Sequence, residues 1–345
     1  MLILGIESTC DETACAVVRD GKDILSNVID SQSEMHRIYG GVFPELACRQ
    51  HVDALVPAID SALAQANISS NQIDLIAVAK GPGLIGALLI GVNAAKALSL
   101  AWDIPFIGVN HVEAHLYAAM MPMSDPLFPA LGVVISGGHT FMVKMNEIGK
   151  YETLGTTQDD AIGEAFDKVA SMLHLPYPGG PAIEQLAKKG NASRFCFHPG
   201  KVKGRPWDFS FSGLKTCVLY AIKGANAIKE SPLIISDEEK ADVAAAFQET
   251  ALNDIITKAL SAAHSFDCRA IYCGGGVSNN TRLKELFAEE NKTGIPLFFP
   301  PRELTTDNAA MIAGLGYHLF LQNKQGDSYD LQPHSSRKCL LNNHY

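Results

Sequence analysis

Phe106-Ile107-Gly108-Val109-Asn110-His111-Val112-Glu113-Ala114-His115 reads as a strand passing directly into a helix. Residues 106–109 form a short apolar run of the kind that fills a buried strand. Asn110 is a good helix cap, and residues 111–121 follow as the helix, ended by Pro122. At 3.6 residues per turn, His111 and His115 stand about 40° apart, so both imidazoles reach one ion. Core or solvated histidines can share that spacing, which alone leaves the choice open.

Outward from this stretch, strands and helices alternate. Residues 2–6 form an apolar strand that turns through Glu7-Ser8-Thr9-Cys10-Asp11-Glu12-Thr13 into a second strand at 14–18. Hydroxyls and amides in such a turn suit phosphate oxygens, and its acids suit Mg²⁺ or a water. A helix over 43–67 follows the Gly40-Gly41 break, then a strand at 73–79 and a small-residue helix at 87–100. The intervening loop, Lys80 to Gly86, lacks the GxxxxGK[ST] pattern of a P-loop. Residues 131–135 and 141–145 form another hairpin around Ser136-Gly137-Gly138-His139-Thr140, a geometry that repeats the first. Helices are expected at 159–173, 182–188, 242–264 and 281–291, with strands at 270–273 and 297–299. Asp307 lies near the start of a last helix running to about residue 321, where Thr306 or Asp307 has the chemistry of a cap. The polar stretch from Gln322 to Tyr345 reads as a frayed tail. The pattern is α/β in two lobes with a cleft: residues 1–110 joined by the helix at about 307–325, then 111–306, then a polar tail over 326–345.

At 345 residues, 47% hydrophobic and 19% charged, the chain is long enough for two domains. Without a basic segment before the first apolar stretch, and without an apolar run of spanning length, a cytoplasmic protein with no membrane role is expected. Its eight cysteines include no C-x-x-C pair and read as free thiols. A net charge of −9 argues against a general nucleic-acid coat. Locally, Lys188, Lys189, Arg194, Lys201, Lys203 and Arg205 form a basic stretch that is either a solvated loop or a phosphate contact.

Taken together, GIESTCDET (5–13), GPG (81–83), NHVEAH (110–115), SGGHT (136–140), DFSFSGLKT (208–216), GGGVSNN (274–280) and TDNAAMIA (306–313) resemble, in order and spacing, the tRNA N6-adenosine threonylcarbamoyltransferase family, bacterial TsaD. These motifs lie within residues 1 to about 325. The resemblance implies the two-lobed actin-like, Hsp70 and sugar-kinase (ASKHA) fold. It implies transfer of a threonylcarbamoyl group from L-threonylcarbamoyladenylate to N6 of the adenosine just 3′ of the anticodon, in tRNAs reading codons that begin with A. Expected partners are a TsaB-like paralogue and a TsaE-like ATPase, with a separate synthase making the adenylate.

By the same resemblance, the metal ligands are His111, His115 and Asp307, a set that suits Fe²⁺ first and Zn²⁺ second; Mg²⁺ is expected with nucleotide. Archaeal and eukaryotic relatives place a tyrosine ligand where Val134 stands here, so this chain groups with the bacterial branch. Val134, Ile135, Ser136, Gly137 and Gly138 are expected to line the substrate, Asp167 and Gly180 to meet the ribose, and Asn280 the base or sugar. Asp11 or Glu12 is the expected catalytic acid–base. Glu184 stands where many relatives have aspartate.

Three readings rival the transferase, of which a small-molecule kinase on the same fold would hold Mg²⁺ on carboxylates and have no use for two histidines on one metal. A zincin metallopeptidase needs H-E-x-x-H, whereas Glu113 follows His111 by two residues and points roughly 200° away round the helix. A nucleotide-binding scaffold without catalysis would keep its function when His111 is replaced; a transferase would lose it.

Overall fold

The strand β1 (Leu2–Glu7) is buried along its length and is the centre of a five-stranded sheet. It pairs antiparallel with β2 (Glu12–Arg19), and β2 in turn with β3 (Asp23–Ser31). On its other side β4 (Leu75–Gly81) and then β5 (Phe106–Asn110) run parallel, so the order is β3-β2-β1-β4-β5. Between β3 and β4 lie α1 (Ser33–Arg37) and α2 (Pro44–Ala66), and between β4 and β5 lies α3 (Ile85–Trp102). Leu4 and Ile6 join Val17, Leu55, Ile59, Val78 and Val92 in one core. Side chains alternate along a strand, so Gly5 faces the other way. There a Cβ would stand 2.2 Å from the Ala309 carbonyl oxygen of the last helix, α10 (Ala309–Asn323). Only glycine admits that approach. The helix α4 (His111–Met120) leaves β5 without a loop, and the Asn110 side chain accepts the Val112 and Glu113 amides.

The computed structural model describes residues 1–39, 41–228 and 231–335. It divides into a first unit of Met1–Pro126, Glu147–Tyr151 and residues from 300 onward, and a second of Leu127–Asn146 and Glu152–Phe299.

In the second unit, β6 (Ala130–Ile135) pairs antiparallel with β7 (Thr140–Glu147), and β8 (Lys150–Thr156) lies outside β7. Helices α5 (Ile162–Met172), α6 (Gly179–Ala187), α7 (Ser212–Lys223) and α8 (Asp237–Ser265) precede β9 (Ala270–Gly274), which runs parallel to β6. Then come α9 (Thr281–Glu290) and β10 (Leu297–Phe298), which pairs with β9. The order β8-β7-β6-β9-β10 repeats that of the first sheet. The repeat suspected from two hairpins is therefore a repeat of whole sheet topology. Leu131, Val133, Phe166, Phe247, Ile255 and Ile271 belong to its core. The motif DFSFSGLKT builds the start of α7. Asp159 accepts the Phe211 and Ser212 amides and both the Ser210 and Ser212 hydroxyls, capping a helix that lacks its own side-chain cap.

Three expectations change. The unit boundary falls after Pro126, not at residue 110, because α4 packs on α10: the Tyr117 hydroxyl bonds His318 at 2.9 Å, and its ring fills the space beside Gly314. The cap of α10 is Asn308, whose side chain accepts the Met311 amide, so neither Thr306 nor Asp307 is used for it. The stretch expected to fray is, as far as Ser335, laid along β5 and β4. The Asp327 amide donates to the Phe106 carbonyl at 2.8 Å, Asp327 Oδ2 accepts the Gly108 amide at 2.7 Å, and the His334 amide donates to the Lys80 carbonyl at 3.0 Å. Residues 336–345, Cys339 included, lie outside the described residues, as does Gly40. The other seven cysteines are free.

One helix, α3, is long and apolar enough by composition to cross a membrane, against the expectation that no stretch would be. Its Lys96 ammonium donates to the Leu331 carbonyl at 2.7 Å, and its Gly91 abuts Ser8 of the first hairpin turn.

Candidate metal centre

His111 and His115 sit one turn apart at the start of α4 with their rings 4.7 Å apart, edge to face. Asp307, two residues before α10, brings Oδ1 to 3.2 Å from His115 Nε2 and 3.4 Å from His111 Nε2. Bonds of about 2.0–2.1 Å in tetrahedral coordination place ligand atoms roughly 3.3–3.5 Å apart. The two separations from Asp307 suit one shared ion, and all three residues form a group of potential ligands within 4.8 Å of one another. Both histidines are buried, while Asp307 keeps 23% side-chain exposure, which leaves an approach on its side.

Electrostatics favour a cation here. Burial opposes a charge on His111, yet the Glu7 and Asp307 carboxylates hold its pKa well above the ordinary value. Burial would raise Asp307, but the adjoining His111 and His115 hold it well below the usual carboxylate range. In sequence Glu7 is only one acid of a polar turn. Its Oε2 lies 2.8 Å from His111 Nδ1 and its Oε1 accepts the Thr9 amide. The available signal was an acid ending an otherwise apolar strand.

The turn after Glu7 carries Asp11 and Glu12 beside this group. Burial, then the charges of Asp307 and Asp11, push the Glu12 carboxyl up to about 9; it also hydrogen-bonds Asp11 and accepts from the Ser31 hydroxyl at 3.3 Å. The turn is tied down by His51 of α2, which the sequence reading passed over. Its Nε2 donates to the Cys10 carbonyl at 3.0 Å, so Nδ1 accepts the Thr13 hydroxyl at 2.7 Å. Glu113 is buried, and burial, partly offset by Lys80, pushes its carboxyl up to about 8. It is not in the group of potential ligands.

The remaining candidates belong to the second unit. Val134 and Ile135 are fully buried in β6, so their side chains are core and their contribution is to carry the turn. Ser136 closes that turn by accepting the His139 amide, and its carbonyl accepts the Gly163 amide at the start of α5. Among the described residues, added Cβ atoms on Gly137, Gly138 and Gly180 would meet nothing within 4 Å, so these backbones are open. Asp167 and Gly180 are brought together: Asp167 accepts the Gly179 and Gly180 amides, while burial pushes its carboxyl up. Asn280 is engaged at both ends, accepting the Leu283 amide at 3.0 Å and donating to Gln248 at 2.9 Å. Glu184 accepts the Thr281 amide and so helps cap α9. In the basic stretch, Arg194 pairs with Asp242 and Arg205 with Asp208; Lys188, Lys189, Lys201 and Lys203 are exposed.

Comparison with known proteins decides the family. Residues 23–314 match the model of the TsaD family, tRNA N6-adenosine threonylcarbamoyltransferase. The chain belongs to that family. Similar proteins of the same name include one from Protochlamydia amoebophila, 60% identical over 96% of this chain and 97% of the relative. Another, from Anaeromyxobacter dehalogenans, is 47% identical over 94% and 95%. Among solved structures, HypF of T. kodakarensis matches 94% of this chain and 48% of its own, with TM-score 0.63 and 15% identity. Component A of the Acidaminococcus fermentans (R)-2-hydroxyglutaryl-CoA dehydratase covers 92% and 98%, with TM-score 0.51 and 13% identity. These structural likenesses speak for the fold, the actin-like, Hsp70 and sugar-kinase type. As a tRNA N6-adenosine threonylcarbamoyltransferase, the chain is an acyl-transferring enzyme of tRNA modification.

Proposed function

We propose that the protein moves the threonylcarbamoyl group of L-threonylcarbamoyladenylate to N6 of the adenosine 3′ of the anticodon, in tRNAs reading ANN codons. The new bond joins N6 to the carbamoyl carbon, the mixed anhydride bond breaks, and AMP leaves with its electron pair. The observation that carries this reading is the convergence of His111, His115 and Asp307 beside the Asp11–Glu12 turn. A divalent ion held there, Fe²⁺ or Zn²⁺, supplies Lewis-acid polarisation of an acyl or phosphate oxygen. Asp11 or Glu12, in the turn beside the ligand group, takes the amine proton in this account. The open backbones of Gly137, Gly138 and Gly180 are assigned to the adenylate, with Mg²⁺ accompanying nucleotide. The target base lies in a single-stranded loop and needs no extrusion from a duplex.

A TsaB-like paralogue and a TsaE-like ATPase are assigned as partners in a cytoplasmic assembly. Exposed Val52 and Val56 of α2, with Ile85, Leu89 and Leu100 of α3, offer apolar surface for one of them. The test is nucleoside mass spectrometry after incubation of the assembly with the adenylate and unmodified tRNA. Threonylcarbamoyladenosine is expected with the natural tRNA and not when the adenosine is changed to guanosine. Equal labelling of both tRNAs would refute the assigned target.

A further inference from the structure

We infer that Glu7 is the positioning residue of the metal centre: its buried carboxylate holds His111 through Nδ1, so that Nε2 is presented to a divalent cation. This rests on the metal reading above and extends it to a residue outside the ligand set.

Glu7 ends β1 with 0% exposure, and its ion pairing among the described residues is with His111. A carboxylate so far from water is costly unless it is paired or hydrogen-bonded. Both of its oxygens are used. Oε1 is fixed by the Thr9 amide at 2.6 Å, which points Oε2 at His111 Nδ1 at 2.8 Å. The Thr9 hydroxyl, 3.4 Å from the same nitrogen, is the weaker neighbour. A carboxylate only accepts, so Nδ1 keeps its hydrogen, and Nε2 is the nitrogen that gives up its proton when an ion binds. That nitrogen is the one facing Asp307 Oδ1.

His115 lacks an equivalent. Its Nδ1 is buried with no hydrogen-bond partner among the described residues. One ligand is therefore oriented by an anion and the other by packing alone, so the centre should lean on Glu7 more than ligand symmetry suggests. Charge points the same way: Glu7 and Asp307 supply two carboxylates where two neutral imidazoles supply none, matching a divalent cation. Hydrogen-bond partners of ligating histidines typically change metal affinity about 10–100-fold when removed.

The experiment measures Co²⁺ and Zn²⁺ affinity by competition with a chromophoric chelator, alongside the Co²⁺ absorption spectrum. Full-length wild type, His111→Ala, Glu7→Gln and Glu7→Asp are compared. Glu7→Gln removes the charge; Glu7→Asp keeps it but falls short of the ring. Both are expected to bind about 10–100-fold more weakly with altered Co²⁺ bands and unchanged circular dichroism, and His111→Ala to lose the site. Should Glu7→Gln fail to fold, Glu7→Asp decides alone. Wild-type affinity and spectrum in the Glu7 variants, with binding abolished by His111→Ala, would overturn the inference and leave the metal reading standing. No binding by wild type would overturn both.

Discussion

Glu12, in the turn beside the candidate ligands His111 and His115, is a carboxyl that burial and neighbouring charge keep protonated at neutral pH. Its ordinary value of 4.5 is pushed to about 9 by burial and by the Asp307 and Asp11 charges. Between those values the unfolded chain is ionised at Glu12 and the folded chain is not, so unfolding releases a proton. This side chain's contribution to stability is full below about pH 4.5 and is lost as pH rises through about 9. Glu12→Gln stays neutral throughout. In protein treated with chelator it is expected to raise the melting temperature more at about pH 8.5 than at about pH 5.5, by about 2 °C or more. A pH-independent difference in thermal scans would remove the assignment. The nearness of His111 and His115 was legible in the sequence because helical spacing places the two rings together, whereas their reading as ligands with Asp307 came from the family resemblance. Glu7 and His51 were not, because each acts on a residue distant in the chain: Glu7 on His111, His51 on Cys10 and Thr13.

Elements with strong periodicity were read close to their observed bounds: the expected helix at 111–121 is α4, His111–Met120, and the expected strand at 131–135 is β6, Ala130–Ile135. The strands that escaped, β3 and β8, are mostly polar and exposed along one side, so neither carries an apolar run. The last described segment misled for the same reason. Gly326 to Ser335 is polar in sequence, yet its hydrogen bonds cover the edge strand β5, and Tyr329 packs on Phe106 with ring centroids 5.5 Å apart. An uncovered edge invites pairing with another chain. Gly81, at φ +141°, has the His334 carbonyl 2.2 Å from where a Cβ would stand, so strap and glycine loop are fitted to each other. Deleting the chain from Gly326 onward is expected to cost about 3–5 kcal/mol, from four or so lost hydrogen bonds and the uncovered Phe106. Urea unfolding would show it, together with concentration-dependent aggregation; an unchanged midpoint would mean the strap contributes nothing.

The two sheets share one strand order, each with a hairpin leading from its central strand, and the chemistry-bearing turns, 7–13 and 136–140, are the turns of those two hairpins. That duplication was visible in the sequence only as a likeness between hairpins, since the residues differ: acids and hydroxyls in one turn, glycines in the other. In the first unit the turn lies beside histidines and carboxylates; in the second it faces open space with its backbone. The proposed division of labour gives cation and proton handling to the first unit and adenylate binding to the second. The family match establishes the class of reaction, and the geometry of the histidine helix supports the proposed metal role. The decisive measurement is threonylcarbamoyladenosine formed by the reconstituted assembly with wild type and with the His111→Ala/His115→Ala variant, each checked for folding and partner binding. The account predicts product with wild type and at least a 100-fold loss (order of magnitude, ~3 kcal/mol) in the folded, partner-bound variant. Undiminished product from that variant would contradict it.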